Sequence, residues 1–177
     1  MGQKTQWETE RLILRRFRHD DFDALYELHS DPEAMRFLGG VWSPQQTRET
    51  LERIIARYAE TDLIWHAVER KADGAVIGVC WLGRLNVRWE VSLGPGLVEL
   101  GYRYARRFWG NGYATEAGAA MLRRGFEELK LPRIMAIVDC ANVASDRVIQ
   151  KLGMQYRKTF EQDGMTIKYY ALDRSII

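Results

Sequence analysis

Trp109-Gly110-Asn111-Gly112-Tyr113-Ala114-Thr115-Glu116 is the stretch on which the reading of this chain turns. Residues 97–104, which follow Gly94-Pro95-Gly96, predict a strand behind it. Residues 114–129 predict a long helix ahead of it, with Ala117, Met121, Gly125 and Leu129 along one side and Pro132 as its stop. A helix start leaves up to four backbone N–H groups without partners, and the helix dipole adds partial positive charge there. Small residues let a phosphate come close to those groups. The loop is therefore a candidate pyrophosphate cradle; on its glycines alone, a tight strand-to-helix turn that binds nothing explains it equally well. Two specific phosphate motifs are excluded. There is no Gly-Lys-Ser/Thr, so this is not a nucleoside-triphosphate loop. Thr115 stands where a dinucleotide fingerprint needs its third glycine, and Pro132, Arg133 and Ile134 occupy the zone of its ribose-binding acid.

Outward from the loop, the chain reads as alternating elements. Residues 11–17 suit a strand, and Asp20 or Asp21 can cap a helix carrying Phe22, Leu25, Tyr26 and Leu28. Ser43, Pro44 and Gln46 form the start of a second helix, with a capping box, whose stripe is Leu51, Ile54, Ile55 and Tyr58. Strands follow at 63–69 and 75–82, then at 97–104. After the long helix, 134–138 reads as a buried strand and 143–152 as a helix ended by Gly153. A final hairpin, 155–160 and 166–172, turns at Asp163-Gly164. The strand–helix–strand step makes its flanking strands parallel. The expected fold is α/β (α+β): a mixed sheet of about six to seven strands, with about four helices on both faces. Its core should hold Leu14, Val68, Ile77, Val79, Leu100, Ile137 and Val138.

Length and charge bound the rest. One domain spanning 1–177 is expected from 177 residues. With 46% hydrophobic and 28% charged residues, the chain can build a core and is not disordered. Lys and Arg number 26 against 24 Asp and Glu, a net +2, which argues against a nucleic-acid partner held by bulk charge. The longest apolar run, 75–83, is far below the ~20 residues that span a bilayer, so no membrane partner is expected. Met1-Gly2-Gln3-Lys4-Thr5-Gln6 carries no apolar signal core. Cys80 and Cys140 have no metal-ligand spacing, and no HExxH occurs; a cytoplasmic protein without metal is expected.

The wider pattern resembles the GNAT superfamily of acyl-coenzyme A-dependent N-acetyltransferases, in particular the branch of ribosomal-protein N-terminal acetyltransferases. Thr9-x-Arg11-Leu12-x-Leu14-Arg15 is similar to the opening strand of that branch. Leu100-Gly101-Tyr102 and Trp109-Gly110-x-Gly112-Tyr113-Ala114-Thr115-Glu116-Ala117 are similar to its cofactor motif, and Asn142-x-x-Ser145 with Lys151-Leu152-Gly153-Met154 to its last motif. The resemblance runs from about residue 9 to 172. Arg107-x-x-Gly110-x-Gly112 fits the superfamily loop literally, but a register with Trp109 first, Gly112 as the fixed glycine and Ala114 as the last small residue starts the helix where the sequence does.

The resemblance implies a sheet splayed between strands 97–104 and 134–138, with the pantetheine arm of acetyl-CoA bonded to backbone around Tyr102 and Tyr104. It implies cofactor contacts from Trp109, Gly110, Asn111, Gly112, Tyr113, Ala114, Thr115, Asn142 and Ser145. Arg106, Arg107 and Arg147 either add charge there or are simply solvated. The implied reaction is direct acetyl transfer to a primary amine, a protein N-terminus or a small molecule, through a tetrahedral intermediate. A backbone N–H near Tyr102 would hold the oxyanion. Many relatives protonate the leaving thiolate with a tyrosine of the last helix. Ile149 stands at that position here, so Ser145 is the substitute, or else an ordinary helix-start residue. Asn142 binds coenzyme A, caps the helix, or does both. Glu99 is the candidate base, although strand parity decides which face it uses; Glu116 sits where a carboxylate favours the helix dipole and needs no catalytic role, His66 is an outside candidate for a base or a substrate contact, and a water relay is the remaining route. Trp42, Trp65, Trp81 and Trp89 either line an acceptor cleft or fill the core. A coenzyme A-binding sensor, a transferase of another acyl group and a pure interaction domain are the competing readings; a homodimer is left open.

Overall fold

The computed structural model describes residues 5–85 and 87–176, so Met1 to Lys4, Asn86 and Ile177 lie outside the described residues, and with them most of the amino-terminal stretch read above. The elements run β1 (Gln6–Glu8), β2 (Leu12–Arg15), α1 (Phe22–Ser30), α2 (Pro44–Arg57), β3 (Trp65–Arg70), β4 (Val76–Arg84), α3 (Val87–Leu93), β5 (Val98–Tyr104), α4 (Tyr113–Arg123), β6 (Arg133–Asp139), α5 (Val143–Lys151), β7 (Gln155–Gln162) and β8 (Met165–Asp173). One eight-stranded sheet is ordered β1-β2-β3-β4-β5-β6-β8-β7. All neighbours are antiparallel except β5 and β6, which the crossover through α4 makes parallel. The mixed α/β expectation is met. The strand missed by sequence reading is the three-residue β1, and the missed helix is the seven-residue α3. Neither is long enough to establish a period.

Strand parity sorts the core onto two faces. Leu25, Leu28, Leu51 and Ile54 of α1 and α2 pack with Ala67 and Val79. Ala117 and Met121 of α4 and Ile149 of α5 pack on the opposite face with Val68, Leu82, Leu100 and Val138. Of the seven expected core residues, only Ile137 is half-buried: it turns away from the α4 side and joins Met135, Ala171 and Trp89 in a smaller cluster.

The helix starts follow local chemistry. At α2, Gln46 N–H donates to Ser43 Oγ (3.2 Å) and Ser43 N–H donates to Gln46 Oε1 (2.8 Å), as the capping box predicts. At α1, Asp21 holds the N-cap position but makes no side-chain cap bond. Arg15 claims its carboxylate instead, with Nη1 and Nη2 each 2.8 Å from an oxygen. The long helix expected to residue 129 stays α-helical to Arg123 and then widens into a π turn over Arg124–Glu128.

Candidate active site

Strands β5 and β6 pair at one position, Glu99 with Met135, and separate beyond it. Which groups of β5 look into that gap follows from its bonding to β4. Antiparallel pairs alternate between bonded and unbonded positions. Ala105 N–H donates to Ile77 C=O and Leu85 N–H to Leu97 C=O, in unbroken register, so the odd-numbered residues of β5 carry the bonds to β4. Tyr102 and Tyr104 therefore turn their backbone groups toward the gap. Trp109 Nε1 donates to the Tyr104 carbonyl at 2.8 Å, so this carbonyl already has a partner.

Below the gap lies the glycine loop. Gly112 is the N-cap of α4 with φ 79°, in the left-handed region that favours glycine, and Gly110 has φ 77°. The first bond of α4 runs from Glu116 N–H to Gly112 C=O, which leaves the amides of Tyr113, Ala114 and Thr115 pointing out of the helix end. A Cβ on Gly110 would meet nothing within 4 Å, and one on Gly112 only Arg11 Nη2, at 3.6 Å. The space over the amides is open to a ligand. Asn111 is turned back: its Nδ2 donates to the carbonyls of Phe108 (3.1 Å) and Trp109 (2.9 Å), bracing the loop.

Glu116 anchors this helix end. Thr9 Oγ1, Arg11 N–H (2.9 Å) and Arg11 Nε (2.7 Å) all donate to its carboxylate. Partial burial raises its pKa, but those donors outweigh burial and hold it below the ordinary value. Thus Glu116 ties the β1–β2 turn to α4 rather than facing the gap.

A cleft of about 660 Å³ joins the two faces of the sheet through the split. Gly110, Gly112, Tyr113, Ala114 and Thr115 line one end, with Asn142, Ser145 and Arg147 opposite. Asn142 caps α5, accepting from Ser145 N–H at 3.1 Å. The Tyr102 hydroxyl lies 2.7 Å from Ser145 Oγ. Burial pushes the Tyr102 pKa well up, against the hydrogen bond from Ser145. Ile149 is buried beneath this pair. Tyr102 thus brings a hydroxyl from β5 against Ser145 of α5.

On the other face, Glu99, Gly101 and Arg103 pair with Gly83, Trp81 and Val79, and so share the α1–α2 side with Trp81. Parity turns Glu99 into the cleft and Val98 into the core. Burial raises the Glu99 pKa to about 7; the Arg103 charge and a hydrogen bond from Trp81 pull the other way. His66 is elsewhere. It is buried against Trp7, with Nδ1 3.0 Å from Ile64 O, and burial drops its pKa to about 3. Arg107 turns away to pair with Glu27, and Trp89 packs on Phe160. Trp42, Trp65 and Trp81 instead surround the Arg103 guanidinium, 5.3, 4.6 and 5.5 Å from its Cζ. Sequence reading missed Arg103; its signal was the two-residue period Glu99, Gly101, Arg103 opposite Trp81. Among the described residues no group of three metal-ligating side chains occurs, and no helix is long and apolar enough to cross a membrane.

Residues 11–155 match the family model described as an acetyltransferase (GNAT) domain. The chain belongs to the GNAT acetyltransferase family. It is 35% identical over 174 residues to the uncharacterized protein YkkB of Bacillus subtilis, covering 96% of each chain. It is 31% identical to the uncharacterized N-acetyltransferase YoaA of the same organism, over 88% of this chain and 85% of that one. A GNAT-family acetyltransferase from Bacillus anthracis superposes with a TM-score of 0.83 at 25% identity, over 97% of this chain and 99% of that chain. This GNAT member is an acetyl-CoA-dependent N-acetyltransferase.

Proposed function

We propose that residues 1–177 form a single acyl-CoA N-acyltransferase domain that moves the acetyl group of acetyl-CoA directly to a primary amine, in the cytoplasm, where free Cys80 and Cys140 would stay reduced. The observation that carries the reading is the row of outward-pointing amides at Tyr113, Ala114 and Thr115, opening onto the split between β5 and β6.

Acetyl-CoA supplies an activated thioester. The amides of Gly110 to Thr115 hold its diphosphate, with Trp109, Asn111 and the exposed Arg147 framing the loop. Backbone groups of Tyr102 and Tyr104 bind the pantetheine arm, and Asn142 and Ser145 border it from α5. Glu99 takes the proton of the attacking amine; a base poised near pH 7 is well matched to this work. The new C–N bond forms as the C–S bond breaks. The Tyr102 N–H stabilises charge on the acyl oxygen. The Ser145–Tyr102 hydroxyl pair returns a proton to the departing sulfur. Base and acid lie on opposite faces of the sheet at the split, so the amine reaches the acyl carbon from the α1–α2 side while the thiol leaves on the α4–α5 side.

Acetyl-CoA is expected to raise the melting temperature, because a ligand of the native state stabilises it. Free thiol should appear with amines present, and Glu99→Gln should slow that release ~10²-fold or more. Stabilisation by acetyl-CoA without thiol release on any amine would replace this reading with that of a coenzyme A sensor.

A further inference from the structure

The acceptor end of the cleft holds two guanidiniums, Arg36 and Arg103, beside the carboxyl groups of Glu33 and Glu99, and Arg103 is held in an unusual way. Arg103 rises from β5 beside Trp81 and lines the cleft. Three indoles, Trp42, Trp65 and Trp81, hold its charge by cation–π contact, all within 5.5 Å. Ring faces attract the charge but accept no in-plane hydrogen bond. Accordingly Nε and Nη1 of Arg103 are buried without a partner. Buried N–H groups are ordinarily bonded, and leaving them unmet is costly. Behind the cage, His29 offers no anion: it is fully buried and burial drops its pKa to about 3. Arg36 adds a second cation at the cleft wall. An adjoining pocket that shares Trp81 is lined by Arg53, Arg57 and Arg84 against Glu60.

A fork of in-plane guanidinium donors matches a carboxylate, which can accept two parallel bonds. The same indole, Trp81, contacts Arg103 and hydrogen-bonds Glu99. An occupant that reaches both Arg103 and Glu99 therefore carries a carboxylate for the one and an amine for the other. We propose that the acceptor is a small amine that also bears a carboxylate, of the amino-acid type, and that Arg103 binds this carboxylate inside the tryptophan cage. Polyamines and other purely cationic amines are disfavoured. The inference rests on the amine-acetylation reading above and names its substrate class.

The unpartnered nitrogens of Arg103 lie among three indoles, so an occupant bonded to them changes the surroundings of those rings. This gives a readout that does not need turnover. L-phenylalanine, L-leucine and L-methionine, each with its carboxamide and its decarboxylated amine, form the probe set. The carboxylates should shift tryptophan fluorescence and bind at least tenfold more tightly than their matched neutral or cationic analogues. In thiol-release assays they should lead by a similar factor in kcat/KM. Arg103→Gln should erase the difference while leaving the thermal shift with coenzyme A intact. Should that variant fail to fold, the wild-type comparison still decides. Equal binding of the carboxylate, carboxamide and decarboxylated members overturns the proposal. Carboxylate-selective binding without thiol release would instead sink the transferase reading and leave the Arg103 site standing.

Discussion

Tyr102 on β5 and Ser145 on α5 place their hydroxyl oxygens 2.7 Å apart across the cleft. In the mechanism proposed above, this pair returns the proton to the leaving sulfur, because Ile149 offers no hydroxyl on α5. If the pair acts as one proton donor, its members are not additive. Ser145→Ala and Tyr102→Phe should each lower kcat by ~10–100-fold with little change in the KM for acetyl-CoA, and the double variant should be no slower than the worse single one. Steady-state kinetics on the three variants checks this. Multiplying losses would mean two separate roles, and unchanged turnover in Ser145→Ala would remove Ser145 from the mechanism.

Glu99 sets the expected pH dependence. It must be ionised to accept a proton, and its pKa is raised to about 7. So kcat/KM should fall below pH 7 and level off above it, and Glu99→Gln should abolish that limb along with most activity. The same shift has a stability consequence. A carboxyl whose folded pKa lies above its unfolded value near 4.5 favours the folded state when protonated, and that contribution is lost as pH rises from about 4.5 through 7. The melting temperature of Glu99→Gln relative to wild type should therefore be higher at pH 8 than at pH 4. A constant difference across that range would contradict the raised pKa.

Gly112 is held at φ 79° in front of amides that need an unobstructed approach. A side chain there adds backbone strain of ~1–2 kcal/mol and starts 3.6 Å from Arg11 Nη2, at a residue that lines the cleft. Gly112→Glu adds a negative charge as well. The expected result is a folded protein, with a melting temperature a few degrees lower, that acetyl-CoA at millimolar concentration no longer stabilises. Retained stabilisation by the cofactor would place the diphosphate elsewhere.

Much of this architecture was legible because it is local. The capping box of Ser43 and Gln46, the glycine loop and the Asp163-Gly164 turn are each specified by neighbours in sequence, and each is found. What was not legible depends on register between distant strands. Whether Glu99 faced the cleft hung on one-residue parity, which the pairing of Gly83 with Glu99 and Trp81 with Gly101 decides. The cage around Arg103 draws Trp42, Trp65 and Trp81 from three separate segments, so no spacing announces it. Asp20 or Asp21 reads as a helix cap because that role is local, whereas the buried guanidinium of Arg15, on β2, claims the Asp21 carboxylate.

Gly101 makes the last expectation the sharpest. A Cβ there would sit 2.1 Å from Trp81 Cζ2, well inside contact distance, so the indole lies flat over the glycine by necessity. Trp81 in turn stacks on Trp65 at 4.9 Å, contacts Arg103 and hydrogen-bonds Glu99. Gly101→Ala must lift that ring, and with it the partners of both the base and the guanidinium. The coenzyme A end of the cleft, beyond Tyr102 on the opposite face, has no share in this contact. Acceptor KM should therefore rise by roughly tenfold or more, and the pH midpoint of kcat/KM should move, while the thermal shift with coenzyme A stays the same. A variant that loses coenzyme A binding and acceptor binding in equal measure would show that Gly101 supports the sheet as a whole and not the placement of Trp81.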